Sequence, residues 1–143
     1  MDLTTLQHVV TMTNKIALST ALDNQADVKI VNFVWYPAQP ATLYFSSVKD
    51  SAALTTYAQN PDVAFISVPN DTAVGNPYIR AQHVKLERSE KTMAELLPRY
   101  LETVPNYQKV WDLIGPKLVV FELKLKDLYV DPGLGQNKGT MHF

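Results

Sequence analysis

Between Ala41 and Pro69 the chain reads ATLYFSSV, then KDSAALTTYAQNPD, then VAFISVP. That order is a strand, a turn opening a short helix, and a second strand. The turn gathers three hydroxyls and an ammonium, on Ser46, Ser47, Ser51 and Lys49, where the helix begins. Helix N-termini expose N–H groups without intrahelical partners and carry positive partial charge, so such a turn suits a phosphate. The same residue types also serve to start a helix, since Ser and Asp side chains cap free N–H groups. The residues alone leave both readings open.

Other reactive side chains are dispersed. His8, His83 and His142 have no HxH or HxxxH spacing, so no metal site is expected. No serine has the context of a nucleophile elbow. The tail GLGQNKG follows no strand-into-helix turn, so it is neither a P-loop nor a dinucleotide fingerprint. Arg80 and Gln82 share one face of a strand and could reach a polar ligand edge, or simply face water. Trp35, Tyr36, Phe45 and Trp111 could stack on a flat ring, although large aromatics more commonly fill cores and interfaces.

The chain has 143 residues, enough for one domain with a substantial core. A net charge of −1, with no Lys/Arg cluster, argues against a dedicated nucleic-acid binder, which must neutralise phosphates. The apolar runs are too short to span a membrane. The N-terminus, MDLTTLQHVV, lacks the basic and apolar regions of a signal peptide, so a cytoplasmic protein is expected. With no cysteine there is neither a disulfide framework nor a thiolate.

These residues must be positioned by a mainly β chain. Residues 2–14 have helical spacing. Lys15–Leu22, Val28–Tyr36, Ala41–Ser47, Val63–Val68 and Tyr78–Arg88 read as strands, with a polar Asp/Asn turn at 23–27. Asp50 or Ser51 is expected to cap a helix that Asn60-Pro61 stops. Ser89 is expected to cap a helix through about Thr103, kinked or divided at Pro98. Pro105 and Gly115 bracket a further helix carrying Trp111. Leu118–Val130 alternates as a sixth strand, and the tail from about Asp131 reads as loosely ordered or borrowed by a partner. The loops joining the first three strands are too short for parallel crossovers. A six-stranded antiparallel barrel or strongly curved sheet with flanking helices follows, over residues 1–143 as a single domain.

The order of these elements resembles the FMN-binding split barrel of pyridoxamine 5'-phosphate oxidase-like proteins, from about Lys15 to Val130. The resemblance rests on LYFSS-VKDS-AALTTYAQNPDVAF, with Phe45, Ser47, Ser51, Ala53, Asn60, Pro61, Val63 and Ala64 at family positions. VKIVNFV is similar to the family strand that opens with a basic residue, here Lys29, and runs beside the flavin. The resemblance implies a homodimer binding FMN at its interface. It implies a phosphate held by Lys29, Ser46, Ser47 and Ser51, and a ring beside the backbone of Ile30, Val31 and Asn32. Phe45 and Trp111 are then ring neighbours, with Trp111 on a helix that approaches the partner's cofactor. The chain departs from the oxidase itself, where Arg-Lys follows the serine: here stand Ala52 and Ala53. Its ending, GLGQNKGTMHF, also lacks the Trp-Arg-Leu type. A flavin-dependent oxidoreductase acting on an unassigned small molecule is expected, rather than a vitamin B6 oxidase. The alternative is a flavin-free or non-enzymatic ligand-binding dimer on the same barrel.

Overall fold

The structure is a computed structural model describing residues 1–143. It has eight strands: β1 (Thr13–Leu22), β2 (Gln25–Trp35), β3 (Thr42–Val48), β4 (Asp62–Pro69), β5 (Tyr78–Arg88), β6 (Leu118–Lys124), β7 (Asp127–Asp131) and β8 (Gly139–His142). Four helices accompany them: α1 (Leu3–Val10), α2 (Ala53–Gln59), α3 (Met93–Thr103) and α4 (Tyr107–Ile114). None is long and apolar enough to cross a membrane.

All strand pairs are antiparallel, and the neighbours β1-β2-β3-β6-β5-β4 return to β1, which closes a six-stranded barrel. The β1–β2 hairpin turns at Asp23 and Asn24, both at positive φ (53° and 62°), the pair of conformations a two-residue turn needs. Alternation then assigns the two faces of each strand. Ile16, Leu18, Phe33, Leu43, Phe45, Val63, Phe65 and Leu123 point inward into one core. The outward Val34, Tyr44 and Val120 lie under Leu96, Tyr100 and Tyr107 of α3 and α4, which makes a second, smaller core.

The barrel closes at one end only. β2 pairs with β1 from Asn32 back to Gln25, but with β3 only through Phe33, Val34 and Trp35. Residues 25–32 therefore keep one edge without a partner strand. On the other side, β5 gives Lys85–Arg88 to β6 but Tyr78–Arg80 to β7. At that level β2-β1-β4-β5-β7-β8 is an open sheet. The change of partner coincides with a bulge, where Ala64 faces both Gln82 and His83 and His83 takes φ 53°.

Several expectations need correction. The segment Leu118–Val130 is two strands, because consecutive polar residues, Lys126 and Asp127, break its alternation: Leu123 and Leu125 point inward before them, Leu128 and Val130 after. The tail forms β8 against β7, with Met141 on the core side. The N-cap of helix α2 is Ala52, one residue past Ser51, and no side chain caps it. Helix α3 is capped by Thr92 rather than Ser89, in a reciprocal box in which Glu95 accepts from the Thr92 N–H. Ser89 instead donates to Glu122 on β6 at 2.8 Å. Pro98 forgoes one helical bond, yet α3 stays continuous: Leu96 and Tyr100, on either side of it, are both buried in the second core.

Candidate functional site

The open edge of β2 faces the end of β3 and the start of α2. Continuing the Phe33–Phe45 register would set Val31 across from Ser47 and Lys29 across from Lys49, had the two strands stayed together. They part instead, and the gap is bordered by side chains able to hold an anion. Ser47 Oγ and Ser51 Oγ lie 3.1 Å apart. The N–H groups of Ala52 and Ala53 have no acceptor in the chain, whereas the neighbouring Ser51 N–H is occupied by Val48 O. Lys29 and Lys49 take part in none of the five salt bridges.

Lys29 is held by an aromatic floor. Its Nζ stands 5.2 Å from the centroid of Tyr57, a favourable position for a cation over a ring face. Tyr57 is the buried residue of α2 and packs edge-on against Phe45 and Phe121, at 5.8 and 5.2 Å between centroids. Its hydroxyl is buried without a partner. The sequence reading missed Tyr57. Its signal was an aromatic standing alone in a helix of Ala, Thr and Leu, which has to face inward.

The structure separates other residues of the expected set. Ser46 and Ser47, adjacent in sequence, point to opposite faces of β3. Ser47 lies on the side of Phe45, and Ser46 faces the helical layer beside Tyr100 and Tyr107. Burial, then neighbouring Tyr107, raises the Tyr100 hydroxyl above the ordinary phenol range; Ser46 opposes that rise, although no well-formed hydrogen bond reaches the hydroxyl. Phe45 is fully buried and stacked on Phe121, so it supports the floor from within the core. Trp111 packs with the second core and covers Gly115, where an added Cβ would come within 2.6 Å of its ring.

Along β2, Ile30 projects outward and is 57% exposed, while Val31 packs against the main core. Asn32 lines a groove of about 650 Å³ with Asn14, Lys15 and Asn70, and its Oδ1 is buried without a partner. Of the histidines, His83 stands 3.6 Å from Asp62 and His142 2.6 Å from Asp127, both in exposed pairs. No group of three or more His, Asp or Glu side chains is placed to hold a metal ion. Arg80 is exposed on the outer face of β5, its guanidinium 4.9 Å from the Tyr129 ring centroid and without a carboxylate partner.

A six-stranded barrel closed at one end and open at the other, with a polar corner in the opening, defines a split-barrel protein. The chain belongs to the pyridoxamine 5'-phosphate oxidase-like family, whose pattern matches residues 9–137. Among curated protein sequences none matches it. Solved structures share the fold at low identity. General Stress Protein 26 from Bacillus anthracis is 15% identical, with a TM-score of 0.71 over 99% of this chain and 98% of its own. A heme binding protein from Mycobacterium smegmatis is 13% identical, with a TM-score of 0.70 over 98% of this chain and 57% of its own. An FAD-binding protein from Mesorhizobium loti is 16% identical, with a TM-score of 0.62 over 90% and 91%.

Proposed function

We propose that the opening between β2 and β3 holds the phosphate of FMN in a homodimer, and that the protein is a flavin-dependent oxidoreductase acting on a small molecule. The observation that carries this reading is the unpaired edge of β2 at residues 25–32, facing the Ser47–Ser51 hydroxyl pair. In the corner, Lys29 supplies a charge with no competing carboxylate. Ser47, Ser51 and the free N–H groups of Ala52 and Ala53 supply donors of the kind a phosphate accepts. Farther along, alternate backbone groups of β2 turn away from β1, and they offer the N–H and C=O pattern that the polar edge of a flavin ring requires. Bound there, the flavin would supply electron or hydride transfer. The chain's own part is to bind, orient and exclude water. The similarity to an FAD-binding protein and a heme binding protein supports a cofactor role for this barrel.

A visible spectrum followed by FMN titration tests this. The expected result is flavin absorbance in the purified protein, or saturable quenching of FMN fluorescence on adding it. A colourless protein that leaves added FMN fluorescence unchanged would sink the reading. It would favour the flavin-free alternative, which the neutral Ala52 and Ala53 already support, since neither brings a cation to the corner.

A further inference from the structure

Resting on that reading, we infer that Arg80 of a second copy of this chain supplies the phosphate-binding cation that Ala52 and Ala53 do not. Three observations lead there. The outer face of β2, β1 and β4 carries no charge across two successive rows: Ile30–Ala17–Ile66 and Val28–Ser19–Ala64. Val28, Ile30 and Ile66 are 63%, 57% and 41% exposed, whereas a solvated sheet face ordinarily carries charge. Uncharged cores with apolar anchors characterise interfaces between chains.

This face is complementary to itself. Small Ala17 lies between two isoleucines in its row, so a two-fold axis running along β1 would set Ile30 on Ile66 of the other copy and each β1 over its mate. The same axis fixes what lies beyond. Arg80 is the next residue in that row, paired with Ile66 on β5, one strand past β4. Under the two-fold, the position one strand past β4 falls one strand past β2, which is the open gap beside Lys29 and Val31. An axis crossing the strands instead would stack Arg80 against its own mate, two like charges in contact. Charge therefore selects the arrangement in which Arg80 enters the gap.

The side chain is prepared for that role. It lies on the open part of the sheet, stacks on Tyr129 and has no acidic partner to displace. A guanidinium offers a planar pair of N–H donors to phosphate oxygens, which an ammonium does not.

The experiment compares FMN with riboflavin, which lacks the phosphate, on the full chain. Arg80→Ala is expected to weaken FMN binding about tenfold or more while riboflavin binding and dimer mass stay as in the unsubstituted protein. A heterodimer purified from differently tagged Arg80→Ala and Lys29→Ala chains then tests whether the residue acts across the interface. One site of that heterodimer keeps Lys29 from one chain and Arg80 from the other. Recovery of one tight FMN site per heterodimer supports the inference. An intact heterodimer with no tight site, or Arg80→Ala binding FMN unchanged, overturns it while leaving the FMN reading in place. Failure of the unsubstituted protein to bind FMN, or its sedimenting as a monomer, overturns the underlying reading instead.

Discussion

Ser47 and Ser51 are the residues on which the phosphate reading is most exposed to test. Each hydroxyl would donate to a charged oxygen, an interaction of roughly 1.5–3 kcal/mol, or about one to two decades of affinity. The double substitution Ser47→Ala with Ser51→Ala is therefore expected to weaken FMN binding by at least about tenfold in a fluorescence titration; unchanged affinity would place the phosphate elsewhere. Ser46→Ala, pointing into the helical layer, serves as the comparison and should leave FMN affinity unaltered. Their shared hydroxyl chemistry groups Ser46 with Ser47 in the sequence, but strand alternation separates them, since Ser47 has the parity of buried Phe45 and Ser46 that of Tyr44. Lys29 stood out as the basic residue of its strand. Its seat on Tyr57 did not, because that contact joins residues far apart in sequence, and nothing local encodes it.

At the scale of elements, the strands were legible because β-branched and aromatic runs alternate between short polar turns; Tyr78–Arg88 has the bounds its pattern implies. Helix starts were less so. Ser89 precedes an apolar-periodic segment as a cap would, but Thr92 has Glu95 three residues on, and the reciprocal box prevails. Ser89 was thereby left to latch β5 to β6 through Glu122. Burial alone would raise the Glu122 pKa; hydrogen bonds from Lys124 and Ser89 outweigh it and hold the carboxyl below its ordinary 4.5. A depressed carboxylate contributes stability above its unfolded pKa and loses it as pH falls through the folded value. Ser89→Ala is expected to cost about 1–2 kcal/mol at pH 7. The difference in urea midpoint from the unsubstituted chain should narrow below pH 4.5. A gap of constant size down to pH 3 (about one and a half units lower) would show that the serine acts by packing, not through the carboxylate.

For the whole molecule, the uncharged outer face is the feature an isolated barrel does not need. A lysine at Ile66, one strand from the proposed two-fold, would be set on Ile30 of a second copy without a partner charge, which is costly. Ile66→Lys is expected to convert a dimer into a monomer in sedimentation while the far-UV spectrum stays the same, since Ile66 lies outside both cores. A dimer that persists would locate the contact on another face. The bulge at Gln82 and His83 has its counterpart one strand away, where Lys126 and Asp127 reset the alternation between β6 and β7; Gln82, His83 and Asp127 border the same hollow. Two adjacent strands thus slip by one residue at the same height, like a dislocation line in a crystal. Below the line the pleat is in phase with the closed barrel; above it, with the open sheet bearing Arg80 and Tyr129. The inward Ile79, Leu128 and Val130 above the line still fill the same core as Val84, Leu86 and Leu123 below it, so the slip re-aims the outward side chains of two strands without interrupting the packing, and substitutions confined to those outward positions are expected to leave the fold intact.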